Sequence, residues 1–240
     1  MKTTVVIPTY NEKDNISSLV KQILSVEPQF RILIVDDNSP DGTGKIADQI
    51  ASNDSQVKVL HRTAKEGLGK AYLAAFKYLL QSDTDYIVTM DADFSHDPKY
   101  LPNLLEGIEE DIDAVIGSRY LRGVSVLNWP LSRLILSVLA NRYVRLVTGL
   151  PIKDCTSGFA CYKRGVLKKI DLEAIRSEGY AFLVELKYKI FIKGFKIKEV
   201  PIVFTERQDG CSKMSHGVII EALFMPWKLR MRLGNDFNKS

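Results

Sequence analysis

The sequence has 240 residues, 45% of them hydrophobic and 26% charged, the balance of a globular protein with a sizeable core rather than of a disordered or fibrous chain. No apolar run approaches the ~20 residues of a bilayer span, no signal peptide is expected ahead of the first strand, and the scattered Cys155, Cys161 and Cys211 lack metal-ligand spacing and fit a reducing compartment. Residues 1–120 carry 12 Lys+Arg against 19 Asp+Glu, a net of −7, whereas residues 121–240 carry 21 against 10, a net of +11; the second half is expected to meet something anionic, whether phosphate, membrane or nucleic acid.

In chain order, Thr3-Thr-Val-Val-Ile-Pro8 is a β-branched run that predicts a strand ending at a proline. Ile16, Leu19, Val20, Ile23 and Leu24 then recur at helical spacing over residues 14–26. Arg31-Ile-Leu-Ile-Val35 predicts a second buried strand, followed by the turn formers Asp36-Asp37-Asn-Ser-Pro-Asp-Gly42 and a helix capped by Thr43 that reaches about Ala51. Val57–Leu60 is a third strand and Gly67–Leu80 a third helix. Tyr86-Ile-Val-Thr-Met-Asp91-Ala-Asp93 is a fourth strand closing on two carboxylates, with a helix from Pro98, and Ala114–Gly117 is a fifth. Strands alternating with helices imply a mostly parallel α/β sheet, with the acidic ends of strands two and four on one rim. No linker or repeat divides the chain, so a single domain is expected over 1–240.

The Asp91-Ala-Asp93 stretch organises the functional reading. Two carboxylates beyond a buried strand repel unless a cation joins them, and Mg²⁺ or Mn²⁺ takes one or two carboxylates while sharing its other positions with water and phosphate oxygens. Two other nucleotide motifs fail. Lys65-Glu-Gly-Leu-Gly-Lys70 has the wrong glycine spacing for a P-loop, and Asp41-Gly-Thr-Gly44 lacks the third glycine of a dinucleotide fingerprint. A site without a glycine-rich phosphate loop has more need of a metal. His96, beside Asp97, reads as a helix-start residue rather than part of a hydrolase triad.

Val6-Ile-Pro-Thr-Tyr-Asn-Glu12, Val35-Asp-Asp-Asn-Ser-Pro-Asp-Gly-Thr43, Met90-Asp-Ala-Asp93, Gly117-Ser-Arg-Tyr120, Asp154-Cys-Thr-Ser-Gly-Phe159, Glu178-Gly-Tyr-Ala-Phe182, Glu199-Val-Pro201 and Arg207-Gln-Asp-Gly-Cys-Ser-Lys213 together resemble family 2 glycosyltransferases, most closely the dolichol-phosphate (polyprenol-phosphate) mannose synthases. The resemblance runs in order through nearly the whole chain. It implies a GT-A (Rossmann-like) fold, a mostly parallel sheet flanked by helices, with a nucleotide-sugar-binding half (1–120) and an acceptor-binding half with interfacial helices (121–240). It also implies GDP-mannose as donor, a divalent metal and a dolichyl or polyprenyl phosphate as acceptor. Many relatives carry a metal-ligating glutamine two residues past the second aspartate. Ser95 stands there instead, so its link to the metal is weak and runs through water.

On this resemblance the donor is met by Pro8, Tyr10, Glu12, Val35, Asp37, Asp91, Ala92, Asp93, Arg207 and Lys213. Tyr10 stacks on the base and Pro8 fixes the turn that presents it. Glu12 and Asp37 face the nucleoside, although Glu12 equally reads as a helix-start charge and a carboxylate matches either guanine or the imide of uracil. Asp93 is the first metal ligand, with Asp91 beside it. Arg119 and Arg133 match acceptor-phosphate positions and, with Asp93, form the expected catalytic set. A phosphate monoester is largely ionised near neutral pH, its second pKa being about 6, so it can attack the anomeric carbon without a general base; an α-linked donor then yields a β-linked product, by inversion. The same chemistry with UDP-glucose, and a catalytically silent nucleotide- or nucleic-acid-binding module, are the alternatives. The latter wants base-stacking aromatics interleaved on a basic surface, whereas the aromatics here fall at core-like spacing, so no nucleic acid is expected.

A long-chain lipid acceptor without a spanning segment implies peripheral work on a membrane surface, at its cytoplasmic face, alone or with a separate anchoring subunit. Asn128–Val147, with Trp129, Arg133, Arg142, Tyr143 and Arg145, reads either as an interfacial helix or as a core helix. Val218–Leu233, whose apolar block is followed by Lys228, Arg230 and Arg232 and broken at Pro226, reads as a surface anchor.

Overall fold

The three parallel strands β1 (Thr3–Thr9), β2 (Arg31–Asp36) and β4 (Tyr86–Thr89) form the centre of the molecule. A computed structural model describes residues 1–206 and 224–231. The strands are continuous apolar runs because both of their faces are buried. Val6, Leu33, Val35 and Ile87 pack into one layer, while Val5, Ile7, Ile32, Ile34 and Val88 pack into the other, the two-residue alternation that a pleated strand requires.

The helices divide between the faces. α1 (Ile16–Val26) and α2 (Thr43–Asn53) cover one side with α4 (Leu101–Glu106), while α3 (Leu68–Leu80), α6 (Arg164–Lys169) and α7 (Gly179–Ile192) cover the other. The seven-stranded sheet runs β3-β2-β1-β4-β7-β5-β8, with β3 Val57–His61, β5 Ala114–Ser118, β7 Ala160–Lys163 and β8 Ile197–Pro201. The expected strands and helices up to β5 are found, most within a residue or two of their predicted ends, but β4 ends at Thr89 rather than running on to the carboxylates. Nor is α2 capped by Thr43: Gly42 precedes the helix and Asp41 Oδ1 accepts the Thr43 N–H at 3.0 Å.

The second half departs most from what the sequence predicts. β7 is antiparallel and inserts between β4 and β5, so the boundary near residue 120 does not divide the sheet. β6 (Val126–Leu127) and β9 (Phe204–Thr205) form a separate parallel pair, which a bridge from Phe204 to His96 ties to the loop after β4. α5 (Leu131–Thr148) follows Pro130 and ends at Gly149, whose φ of 75° is the left-handed C-terminal turn that glycine adopts without strain. Residues 224–231 are helical, with Met225 and Leu229 in the same apolar layer as Val144 of α5. Arg230 donates to the Val147 carbonyl at 2.8 Å.

Candidate active site

β4 stops at Thr89 because the Asp91-Ala-Asp93 loop leaves the sheet there. The Met90 N–H still reaches the Val6 carbonyl at 3.1 Å, and Asp91 is the first side chain beyond the rim. Its backbone N–H donates to His96 Nδ1 at 3.3 Å, so His96 does not start the helix. Asp97 does, accepting from the Lys99 N–H at the head of the 3-10 helix Pro98–Tyr100. The His96 ring is buried and stacks on Phe159 at 5.0 Å; burial lowers its pKa, which keeps it neutral and suits it as an acceptor. Phe94, between Asp93 and Ser95, holds φ at 58°, a strained conformation for a bulky side chain that costs of order 1–3 kcal/mol and needs support from its surroundings. Asn11 and Asn38, in the loops after β1 and β2, share this left-handed conformation.

The carboxylates suit a hard cation. Asp93 Oδ1 accepts the Ser95 N–H at 3.0 Å. The buried Ser95 Oγ has no hydrogen-bond partner among the described residues, an orphaned oxygen that a bound water or cation shell would satisfy. Beneath them lies Tyr72, fully buried; burial, then the charges of Asp91 and Asp93, raise its phenol far above the ordinary range. No group of three or more His, Cys, Asp or Glu suited to a metal occurs among the described residues. Two carboxylates with open sharing is the donor set that Mg²⁺ or Mn²⁺ accepts beside phosphate and water.

The predicted nucleoside residues meet at the ends of β1 and β2, where Pro8 pairs with Val35. Val35 is fully buried, so only its backbone can face a donor; Ala92 is likewise in the core. Tyr10 carries the Lys65 ammonium 3.7 Å above its ring. Glu12 sits ahead of α1, accepting from Asn15 Nδ2 at 2.8 Å, while its N–H donates to Thr43 Oγ1. Asp37 is buried and ion-paired with Arg62, and accepts the Glu66 and Gly67 N–H groups at 3.0 Å each. Its carboxylate thus anchors the loop ahead of α3, which a role of binding the base alone does not anticipate. Arg207 and Lys213 lie outside the described residues.

Arg119 and Arg133 are brought together around Trp129, with guanidinium carbons 5.6 and 4.2 Å from its ring centre. Trp129, from the segment read as either an interfacial or a core helix, thus packs against both arginines. Arg119 is 5% exposed and forks onto Asp154 with two bonds of 2.7 Å, with a third to Thr156 Oγ1 at 2.8 Å. Burial opposes its charge, and Asp154 more than offsets that. Arg133 pairs with Glu206. Phe204 joins the two halves: its ring meets His96 at 5.4 Å and Trp129 at 5.5 Å, and the Arg119 guanidinium lies 5.4 Å from it. The carboxylate loop and the arginines therefore share one aromatic ledge.

The glycosyl transferase family 2 model matches residues 4–171. This chain belongs to that family. It is 48% identical over 97% of its length to a polyprenol monophosphomannose synthase of Mycolicibacterium smegmatis, covering 89% of that protein. To an undecaprenyl-phosphate mannosyltransferase of Micrococcus luteus it is 44% identical over 98% of its length, covering all of that protein. Two solved structures share its fold at 18% identity. One is a glucosyl-3-phosphoglycerate synthase from Mycobacterium tuberculosis with Mn²⁺, UDP and phosphoglyceric acid (TM-score 0.66, covering 98% of this chain and 78% of that one). The other is a mannosyltransferase from Pyrobaculum calidifontis with GDP-Man and Mn²⁺ (TM-score 0.63, covering 96% and 64%). The expected GT-A fold is borne out.

Several residues of this glycosyltransferase brace the candidate site without having been singled out in the sequence. Asp36, also buried, accepts from Ser39 Oγ at 2.6 Å and shapes the loop after β2. Lys187, fully buried in α7, donates to the Cys155 and Ser157 carbonyls at 2.9 and 2.6 Å, and burial pushes its ammonium down to about 8 against the pull of Asp154. Thr89 Oγ1 donates to the Gly158 carbonyl at 2.7 Å, so one segment, residues 154–158, backs both Arg119 and the carboxylate loop. Asp154 and Gly158 fall inside a quoted motif, but nothing local in the sequence tells which partner each meets.

Proposed function

We propose that this family 2 glycosyltransferase moves mannose from GDP-mannose to a dolichyl or polyprenyl phosphate. The observation that carries this reading is the shared ledge of His96, Phe204 and Trp129, whose ring contacts link the loop of Asp91 and Asp93 to Arg119 and Arg133. Carboxylates suited to a metal-bound diphosphate and arginines suited to a phosphate monoester describe a donor and an acceptor that are both anionic. The names of the two relatives point to the same lipid phosphate and the same sugar.

Asp91 and Asp93 would hold Mg²⁺ or Mn²⁺, with Ser95 reaching it through water. When bound, the cation supplies charge neutralisation to the departing diphosphate. Pro8, Tyr10, Glu12, the Val35 backbone, Asp37 and Ala92 would line the nucleoside and ribose, and Arg207 and Lys213 would add positive charge to the donor. Arg133, with Arg119 held rigid by Asp154, would bring the acceptor oxygen against the anomeric carbon despite the donor's own charge. The acceptor oxygen bonds to that carbon as its bond to the diphosphate breaks, GDP leaves, and the sugar inverts to the β-linked lipid phosphate. No side chain need take a proton, because the acceptor is already ionised.

The chain would work as a single unit at the cytoplasmic face of a membrane, residues 1–120 holding chiefly the donor and 121–240 the acceptor, alone or with an anchoring subunit. Among the described residues no helix is long and apolar enough to cross a membrane. The test is transfer of label from GDP-mannose, with UDP-glucose in parallel, into a mild-acid-labile product extracted with polyprenyl phosphate. Transfer from GDP-mannose supports the reading; transfer from UDP-glucose alone replaces the donor; transfer from neither removes it.

A further inference from the structure

Arg133 meets a carboxylate of its own chain, and that pairing is incomplete. Glu206 directly follows β9, where the Thr205 N–H donates to the Ser95 carbonyl at 3.3 Å and the Glu206 N–H to the Leu127 carbonyl at 3.2 Å. The backbone therefore pins Glu206 between the carboxylate loop and the strand leading into α5. One carboxylate oxygen pairs with Arg133. The other, Oε2, is buried without a partner among the described residues, and so is the Nε1–H of Trp129, the ring against which the Arg133 guanidinium lies at 4.2 Å. An unused acceptor and an unused donor beside one arginine mark a seat whose present occupant does not satisfy it.

We propose that Glu206 occupies the seat of the acceptor phosphate on Arg133 and is displaced from it by that phosphate. The inference rests on the reading of Arg133 as an acceptor-phosphate residue. A carboxylate brings one charge and two oxygens, whereas a phosphate monoester brings a charge of about −1.5 to −2 and three strong acceptor oxygens. The phosphate can take both Arg133 and the Trp129 N–H, and Glu206 then exchanges an ion pair with an orphaned oxygen for solvent. No covalent bond changes; one pairing replaces another. Until the acceptor arrives, Glu206 neutralises Arg133 and keeps the neighbouring donor diphosphate from taking the seat.

The test is calorimetric titration of the full chain with a short, water-soluble isoprenyl monophosphate and, separately, with inorganic phosphate. Glu206→Gln removes the competing charge and is expected to bind both about tenfold more tightly, in line with the worth of hydrogen bonds to charged groups. Glu206→Asp keeps the charge and should stay near wild type. In an Arg133→Ala background the gain should vanish. Melting curves confirm that each variant is folded. Equal or weaker binding by Glu206→Gln, or a gain that survives loss of Arg133, overturns the inference while leaving the transferase reading intact. Tighter binding of inorganic phosphate with no binding of the isoprenyl phosphate keeps the seat but removes the lipid acceptor; no binding of either by any variant removes both.

Discussion

Arg119 and Asp154 show how a predicted site residue is held by one the sequence does not link to it. They lie 35 positions apart, both buried, and Asp154 also accepts the Arg119 backbone N–H at 3.0 Å. Burial alone would raise the Asp154 carboxyl, but the adjacent guanidinium more than offsets this and its pKa is lowered from 3.8. Breaking a buried pair leaves an uncompensated charge, so Asp154→Ala should lose about 3–5 kcal/mol in denaturant unfolding; a loss below 1 kcal/mol would show that Arg119 finds another partner. Because the folded pKa is depressed, the stabilisation is complete above the unfolded value of 3.8 and is lost as pH falls below it toward the folded value. Acid titration of the wild type should show this loss, and Asp154→Asn should lack it. Asp93 differs: it lies in the loop beyond β4 and accepts the Ser95 N–H two residues further on. Asp93→Ala should melt near wild type yet abolish transfer, as excess EDTA should reversibly; full activity in metal-free buffer would remove the metal. Arg133→Ala should weaken use of the lipid phosphate roughly tenfold to a hundredfold, the worth of about 1.5–3 kcal/mol for a charged hydrogen bond, with GDP affinity unchanged. A fall in GDP affinity with unaltered acceptor kinetics would reassign it to the donor.

At the scale of elements, legibility follows the range of the signal. β1, β2 and β4 were readable because strands buried on both faces are uninterrupted apolar runs, and Asp91 and Asp93 because they follow such a run directly. β7 was not: its four residues, Ala160–Lys163, owe their place between β4 and β5 to pairings across the chain. That insertion brings Asp154, Thr156 and Gly158 to the rim, and Lys187 reaches them only through α7 packing. α5 has one face in the core and one exposed apolar face, so the core reading holds for part of it and the interfacial reading stays a proposal for the rest. Asn141, Val144, Val147 and Thr148 are buried, while Leu131, Ile135, Leu139 and Leu146 are 50–75% exposed, with Arg142 and Arg145 also facing outward. In the adjoining helix 224–231, Phe224, Trp227 and Met231 are 50–66% exposed; the rest of the expected anchor, 218–223 and 232–233, lies outside the described residues. Exposed apolar side chains ringed by arginine suit an anionic lipid surface, where each basic residue contributes about 1 kcal/mol and salt weakens the attraction. Cosedimentation with anionic vesicles should fall in high salt, fall on deletion of 218–240, and fall further with Leu139→Glu and Leu146→Glu. Equal binding by all forms would exclude both helices as the contact.

Across the whole molecule, the charge asymmetry has a structural counterpart. The acidic first half supplies the rim carboxylates Asp37, Asp91 and Asp93, and the basic second half supplies Arg133 and the exposed arginines of α5. The two halves share one sheet and one aromatic ledge, so donor and acceptor would meet at one centre, where the acceptor phosphate itself attacks. That claim is tested most directly by the stereochemistry of the product made from α-linked GDP-mannose, read at the anomeric carbon by NMR. A single displacement by the acceptor oxygen predicts a β-linked mannosyl lipid phosphate. An α-linked product would mean retention, which a single in-line displacement cannot give, and would contradict the account.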